Sequence, residues 1–167
     1  SVVGQGNAGE NQELFVMFRD DDTFTFAFFG NDLDTADTYT DANWHHWACT
    51  YDASNNARMI YRDGVEVAAD TASADYQGSG VLYIVRRGSA AERYFDGRLD
   101  EVRIWNDVRT EAEVRDHMHR ELDGDETGLT AYFPMNQRDT TALDDLTANG
   151  NDGALQNMDA GSDWVSS

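Results

Sequence analysis

The sequence predicts an all-β protein, a sandwich of antiparallel strands with one short helix. About nine short runs carry apolar residues at alternate positions, the spacing of a half-buried strand, and turns rich in Asp, Asn and Gly separate them. Only one segment, residues 110–121, has helical spacing. With 167 residues, we expect a single domain spanning residues 1–167.

Residues 95–106 are predicted to form the central strand. Leu99 and Trp105 lie on one side of its period-2 pattern, and Val102 and Ile104 lie on the other. A strand that is apolar on both faces is usually covered twice and central in its sheet. We therefore expect sheet partners on both of its edges.

Two pairs of alternating runs predict hairpins. Residues 13–19 and 23–29 flank a short acidic turn, and residues 58–61 and 65–67 flank Arg62-Asp63-Gly64. An Asp-Gly pair favours a type I′ turn, because both central residues of that turn need a positive φ. The remaining strands are predicted at residues 44–51, 81–85, 129–133 and 154–155, with loops at 30–43 and 136–153.

The helix has a clear start signal. Thr110 and Glu113 have the spacing of a capping box, in which each residue bonds the backbone N–H of the other. Val114 and Met118 then recur one turn apart. We expect these two side chains to pack the helix at residues 110–121 against one end of the sandwich.

The charge of the chain is strongly negative. It holds 32 acidic residues against 12 basic ones, a net charge of −20, and every basic residue is Arg. Nucleic acid is excluded as a partner because its phosphates would be repelled. No apolar run is long enough for membrane insertion. An Asp-rich, Lys-free surface favours adaptation to high salt, which screens the repulsion among carboxylates, and the alternative is an acidic, soluble protein of a calcium-rich environment.

The run around the single cysteine predicts structural side chains. Cys49 alternates with Trp47 and Tyr51, so we expect a buried, inert thiol that makes no disulfide. His45 and His46 point to opposite faces of the same strand, and one of them is expected to be a structural histidine.

Several of these segments resemble one known family. Residues 44–52 and 61–64 resemble the "W-H-H-hydrophobic-A-x-T-Y-D … Y-x-D-G" pattern of laminin-G-like, concanavalin A-like jelly-roll domains. Residues 95–106 are similar to their "F-x-G-x-I-D-E-V-R-I-W-N" strand, and residues 128–136 with 149–153 are similar to their closing segment. The resemblance implies a two-sheet antiparallel jelly-roll sandwich.

The resemblance also implies a missing part. Such domains usually begin with two further strands, including one of the type "F-T-x-E-x-W", and none is found before Ser1. We expect either a truncated or naturally short version of the domain, or a sandwich that is completed differently. An unpaired sheet edge promotes association with another chain. A homodimer that closes this edge is therefore one expectation.

No catalytic residue is assigned. Jelly-roll glucanases carry an E-x-D-x-x-E strand whose carboxylates share one face of a cleft, whereas Asp100 and Glu101 are adjacent and point to opposite faces. Asp96, Arg98 and Asp100 do share a face. An Asp-Arg-Asp row is typical of a solvated or salt-bridged surface.

One loop is a candidate calcium site. Asp145, Asn149 and Asn151 are closely spaced on a glycine-containing loop, and Ca²⁺ prefers carboxylate and amide oxygens. The resemblance implies calcium too, since many domains of this family bind one Ca²⁺ near the loops at one end. The alternative is a turn whose side chains cap backbone groups.

The candidate ligand-binding residues are Tyr39, Tyr76, Arg87 and Tyr94. The three tyrosines lie in or beside polar loops, where aromatic rings can stack on sugars, although packing at the sheet edge would also explain them. Arg87 belongs to a basic cluster with Arg86 and Arg93. That cluster would either receive an anionic glycan or neutralise nearby Asp.

These features favour a non-enzymatic recognition module. Its expected ligand is a carbohydrate or a glycosylated protein, and its expected location is extracellular, in a secreted or cell-surface protein. A glycan-cleaving enzyme of the same fold, either a glycoside hydrolase or a polysaccharide lyase, stays open as an alternative. A purely structural assembly domain is the other alternative.

The charge generates a prediction about stability. We expect the melting temperature to rise from low to molar NaCl, because screening relieves the repulsion among 32 acidic residues. Thermal melts over a NaCl series, with divalent ions chelated throughout, measure this. A flat or falling melting temperature would count against salt adaptation.

Overall fold

The computed structural model confirms the all-β prediction. It describes residues 1–89, 93–137, 140–159 and 161–164. The chain forms two compact units. The first unit comprises residues 1–96 and 110–118, and the second comprises residues 97–109 and 119–167. The described strands all pair antiparallel and the chain has one short helix, consistent with a jelly-roll sandwich.

The first unit contains two antiparallel sheets. Its strands are β1 (Val3–Gly6), β2 (Glu13–Phe18), β3 (Thr23–Ala27), β4 (Asp32–Thr38), β5 (Trp47–Asp52), β6 (Ala57–Arg62), β7 (Val65–Thr71) and β8 (Leu82–Ile84). One sheet has the order β4-β3-β2-β1-β8, and the other has the order β5-β6-β7.

A hydrophobic core joins the two sheets of the first unit. Phe24 and Phe26 of β3 are buried together with Ile60 of β6. The ring of Phe24 stacks on Trp47 of β5 at a centroid distance of 3.9 Å. Each fully buried apolar side chain contributes roughly 1.5–3 kcal/mol, so this layer is a major source of stability.

Both predicted hairpins are confirmed. Strand β2 pairs with β3, and β6 pairs with β7. Asp63 and Gly64 in the second turn have φ values of 51° and 75°, the two positive angles that a type I′ turn requires. A Cβ at position 64 would lie 3.2 Å from side-chain atoms of Arg115 and Met118, so glycine also makes room for the helix.

The helix α1 (Glu111–His117) begins where the capping box predicts. Thr110 and Glu113 bond each other reciprocally, and Val114 is buried. The predicted end at residue 121 is wrong, because the helix stops at His117. Leu122 instead lies in a buried cluster with Leu129 and Tyr132 of the second unit. A helix this short depends on tertiary packing, and in α1 only Val114 provides a fully buried contact.

The second unit consists of two short strand pairs. Its strands are β9 (Val102–Trp105), β10 (Leu129–Phe133), β11 (Ala142–Leu143) and β12 (Gly153–Ala154). Strand β9 pairs with β10, and β11 pairs with β12. Leu122, Leu129 and Tyr132 form the buried cluster of this unit, and Trp105 packs against it.

The predicted central strand at residues 95–106 is wrong in extent and in position. Only Val102–Trp105 is extended, and among the described residues its sole partner is β10. Glu101 has a φ of 55°, which breaks an extended backbone. Phe95 and Leu99 therefore continue the apolar alternation of the sequence on residues that precede the paired strand β9.

Other strand boundaries also differ from the prediction. Residues 30–43 contain strand β4, and residues 136–153 contain β11 and the start of β12, so neither stretch is only a loop. Within β4 only Leu33 and Thr35 are buried, and a single apolar residue gives almost no alternation signal. Strand β1 was not predicted, and the strands expected at 44–51 and 81–85 are β5 and β8.

Two expectations about the whole chain stay predictions. These are the single domain over residues 1–167 and the homodimer that closes a sheet edge. In the part of the chain that the structure describes, no helix combines the length and apolar character needed to span a bilayer.

Candidate functional site

Strand β2 presents different apolar groups on its two faces. Leu14, Val16 and Phe18 pack against the core between the sheets. Phe15 and Met17 point the other way, where they form a second buried cluster with Ala27. The alternation of a strand thus gives the five-stranded sheet an apolar patch on the face opposite the core.

A buried ion pair lies beside this patch. The side chain of Glu13 is 0% exposed, and Arg87 binds both of its oxygens, with Nε at 3.0 Å from Oε1. Ser89 donates to the same carboxylate through its backbone N–H at 2.9 Å and its hydroxyl at 2.6 Å. Burial alone would raise the pKa of Glu13, but the bonds from Arg87 and Ser89 outweigh it and lower that pKa.

The guanidinium of Arg87 also covers the apolar patch. It lies 4.7 Å from the ring centroid of Phe15 and 5.7 Å from that of Phe29. Arginine stacks well on aromatic faces because its planar cation is weakly hydrated. Arg87 is therefore fixed both by charge and by stacking.

A second arginine is tied to strand β4. Arg19 donates to Asp34 through Nε at 2.8 Å and to Asp32 through Nη2 at 2.8 Å. It also donates to the hydroxyl of buried Thr25 at 3.2 Å. Burial lowers the pKa of Arg19, but Asp34 and Asp32 outweigh this effect and raise it.

These groups enclose what we name the sheet-face depression, a hollow of about 330 Å³. Its lining residues are Phe15, Met17, Arg19, Asp20, Asp21, Arg87 and Arg93. The side chain of Arg93 is 46% exposed and lies 3.8 Å from the carboxylate of Asp20, which is 94% exposed. The hollow thus combines an apolar floor with charged walls of both signs.

The structure brings together only part of the predicted ligand site. Arg87 lines the sheet-face depression, and Tyr94, which is 58% exposed, follows Arg93 in the chain. Sequence analysis did not identify Glu13, Arg19 or the apolar floor.

Tyr39 and Tyr76 lie away from this hollow and pack against the core. Tyr39 contacts Trp47 edge to face at 4.8 Å, with the guanidinium of Arg62 at 4.7 Å from its ring. Tyr76 packs against Phe28 at 5.4 Å and donates to the side chain of Gln5 at 3.1 Å. Their role in ligand binding stays a prediction, and the structure also gives each of them a packing role.

The predicted calcium ligands are engaged in a turn. Each oxygen of the Asp145 carboxylate accepts two hydrogen bonds, from donors on Tyr132, Thr147 and Asn151. Burial would raise the pKa of Asp145, but these bonds outweigh it and lower that pKa. The amide groups of Asn149 and Asn151 both donate to the carbonyl of Thr130, at 3.0 and 2.8 Å.

As they stand, these residues do not fit a cation held by Asp145. A carboxylate has about four lone-pair positions, and the four bonds to Asp145 occupy them. A bound Ca²⁺ would have to displace backbone donors. Calcium at this loop stays a prediction, and the turn is the account that the geometry supports.

Among the residues that the structure describes, one further acidic group has the spacing of metal ligands. Asp123, Asp125 and Glu126 place one carboxylate oxygen each within 4.8 Å of one another. The carboxylate of Glu126 accepts the backbone N–H groups of Asp123 and Gly124, at 2.9 and 3.0 Å. These bonds explain the cluster as a turn.

His45 is the structural histidine of its pair. Its Nδ1 lies 2.7 Å from Asp63, and its Nε2 lies 2.8 Å from Asp41. Asp41 and Asp63 raise the pKa of His45, and they outweigh the opposing effects of burial and of the nearby Arg62. His45 in turn lowers the pKa of Asp41 to about 2. The imidazole ring thus ties residues 41–45 to the β6–β7 turn.

The other titratable candidates have structural surroundings. Burial raises the pKa of Cys49 to about 12, as expected for an inert thiol. Glu101 accepts from the hydroxyl of Tyr132 at 2.8 Å and from Arg103 at 2.5 Å. Residues 96–100 form no strand, so the face predicted for Asp96, Arg98 and Asp100 has no strand to support it.

The family model that matches this chain is described as the concanavalin A-like lectin/glucanases superfamily, and it matches residues 1–115. The chain belongs to this superfamily. The sequence-based resemblance is therefore confirmed. No curated protein matches the chain in sequence.

The fold is similar to that of a Bacteroides ovatus protein whose proposed role is carbohydrate binding. The TM-score is 0.73 at 21% identity, over 99% of this chain and 51% of that chain. The chain thus spans about half the length of the protein it matches, and at this identity the likeness shows the fold alone. An S-layer domain-containing protein from Clostridium thermocellum matches at a TM-score of 0.39 and 16% identity, over 70% of this chain and 63% of that chain, too weakly to carry an argument.

The His45 contacts predict a pH dependence of stability. The pKa of His45 is higher in the folded state than in the unfolded state, so its protonation stabilises the fold. This stabilisation is complete below the unfolded-state pKa, about 6.5, and is lost as the pH rises through the folded-state pKa. We expect the free energy of unfolding to fall over that interval. Urea unfolding at several pH values measures it.

Matched histidine variants locate this effect. His45→Gln is expected to flatten the fall in stability, whereas His119→Gln, at an exposed histidine, should leave it unchanged. An unchanged pH profile in His45→Gln would contradict the assignment.

Calcium binding at the Asp145 loop predicts a stability difference between EDTA and millimolar Ca²⁺ at fixed ionic strength. A hundredfold excess over Kd stabilises the native state by about 2.7 kcal/mol. That corresponds to a rise of roughly 5–10 °C in melting temperature for a domain of this size. Identical melting curves would leave the loop as a turn alone.

The structural role of Asp145 has its own readout. Asp145→Ala should lower the free energy of unfolding in EDTA by roughly 2 kcal/mol or more, because buried donors lose their acceptor. Asp144→Ala, at the exposed neighbouring position, is the control and should change it little. If Ca²⁺ stabilises the unmutated chain, the fraction of that stabilisation that is lost in Asp145→Ala measures metal binding at this carboxylate.

Proposed function

We propose that this protein is a non-catalytic carbohydrate-binding module that holds its glycan in the sheet-face depression. The partner is a free carbohydrate or the glycan of a glycosylated protein. The module works outside the cell or at its surface, as part of a secreted or cell-surface protein. Membership of a superfamily of lectins and glucanases supports this proposal.

The observation that carries the proposal is the composition of the sheet-face depression. A sugar ring has an apolar face of C–H groups and a rim of hydroxyls. Phe15 and Met17, each 5% exposed, form the apolar base together with the Arg87 guanidinium stacked on Phe15, and the guanidinium groups and Asp carboxylates supply hydrogen-bond donors and acceptors around it. An apolar surface with a few fixed polar groups is the usual design of a ligand site.

The carboxylates of the hollow favour binding over hydrolysis. A glycosidase needs a general acid with a raised pKa and a second carboxylate at least about 5 Å away, across the scissile bond. Asp20 and Asp21 are instead consecutive residues of one exposed turn. Hydrogen bonds from the hydroxyl and N–H of Thr23 lower the pKa of Asp21, which makes it a poor proton donor at neutral pH.

The similar Bacteroides ovatus protein adds a second, weaker support. Its proposed role is carbohydrate binding, and its fold matches nearly the whole length of this chain. The proposal for this chain rests on the hollow, because the fold alone hosts both lectins and glucanases.

Glycan binding and cleavage are tested together on a polysaccharide panel. We expect binding in affinity electrophoresis or calorimetry, with no release of reducing ends and no unsaturated product. Arg93→Ala and Tyr94→Ala should each weaken binding about tenfold, roughly the loss of one good contact.

The control is Trp44→Ala. Trp44 is 56% exposed, almost the same as Tyr94, but it belongs to the loop that His45 holds. Its removal should leave affinity unchanged. A loss of binding in Trp44→Ala with none in Arg93→Ala would place the glycan elsewhere, and product release would favour the enzyme.

A further inference from the structure

We propose that the sheet-face depression selects neutral glycans and rejects glycans that carry carboxylate or sulfate groups. This inference rests on the proposed function and adds the ligand class. It concerns the two members of the basic cluster that line the hollow, Arg87 and Arg93, because each of them faces a carboxylate of the protein itself.

Arg87 is not available to a ligand anion. Both oxygens of Glu13 are bound by its guanidinium, and that carboxylate is fully buried. If the Arg87 side chain rotated towards a ligand, the buried carboxylate of Glu13 would lose its cation, which is strongly unfavourable. The charge of Arg87 is therefore cancelled in place.

Arg19 is committed in the same way. Two of its nitrogens bind Asp34 and Asp32, each at 2.8 Å, so one guanidinium faces two carboxylates. An additional anion would meet a local excess of negative charge. Arg19 thus contributes N–H groups to the hollow but no net attraction for an anion.

The mouth of the hollow is acidic. Asp20 is almost fully exposed, and its closest cation in the described part of the chain is Arg93, 3.8 Å away. Asp21 lines the same hollow, and its Oδ1 accepts from the N–H and the hydroxyl of Thr23. Among the described lining residues at the mouth of the hollow, the partly exposed Arg93 is therefore outnumbered by the carboxylates of Asp20 and Asp21.

Hydroxyl groups fit this arrangement better than anions do. A hydroxyl can donate to an Asp carboxylate and accept from a guanidinium N–H, so it uses both kinds of group without adding charge. Among described contacts, Nη1 of Arg19 and Nη1 of Arg87 have no hydrogen-bond partner and remain as donors. The net charge of −20 adds long-range repulsion of polyanions.

The test uses a matched pair of ligands. For each polysaccharide of the panel, the unmodified form is compared with the same polymer whose C6 hydroxyls have been oxidised to carboxylates. We expect binding of the unmodified form, and at least about tenfold weaker binding of the oxidised form. Equal or tighter binding of the oxidised form overturns the inference while the proposed function stands. Binding of neither form overturns the proposed function and this inference with it.

Charge variants assign the rejection to the hollow. The double variant Asp20→Asn/Asp21→Asn should bind the oxidised polymer at least about tenfold more tightly than the unmutated chain does. Glu66→Gln removes one exposed carboxylate on β7 and should leave the preference unchanged. If both variants discriminate as strongly as the unmutated chain, the rejection comes from the net charge and not from this hollow, which overturns the assignment.

Discussion

The buried carboxylate of Glu13 is the constraint around which the candidate site is arranged. A fully desolvated charge persists only when cations and donors surround it, and Arg87 and Ser89 fill that role. Because Arg87 must stay with Glu13, it also stays over Phe15. One electrostatic requirement thus fixes the segment at residues 86–89 against β2, and with it the wall and floor of the hollow.

The sequence predicted the elements whose signals are local. The Asp63-Gly64 turn, the capping box at Thr110 and the hairpin of β2 and β3 depend on neighbouring residues and were found where expected. The errors came from tertiary effects. Strand β4 is held by pairing with β3 although little of it is apolar, and Phe95 and Leu99 continue the alternation of β9 although the backbone turns at Glu101. Neither the pairing of β4 with β3 nor the single positive φ at Glu101 produces a periodic pattern in the sequence.

The candidate site was predictable only in part. The period of a strand places residues 13, 15, 17 and 19 on one face, so a charged residue at each end of an apolar pair was visible in the sequence. Arg87 was identified as part of a basic cluster, but its partner lies 74 residues away and no local pattern joins them. Tyr39 and Tyr76 show the converse, since aromatic residues beside polar loops also pack onto cores.

Because every basic residue is arginine, many cationic side chains of this protein can stack on aromatic rings, which matters at high ionic strength. Dissolved salt weakens the attraction between exposed opposite charges, but it does little to flat groups stacked out of water. Arg87 on Phe15, Arg62 on Tyr39 and Arg109 on Trp105 are all stacked in this way. A lysine, with its compact and strongly hydrated head group, would have only the charge to hold it. These stacked guanidinium groups are therefore expected to keep their positions at ionic strengths that would release an ordinary salt bridge.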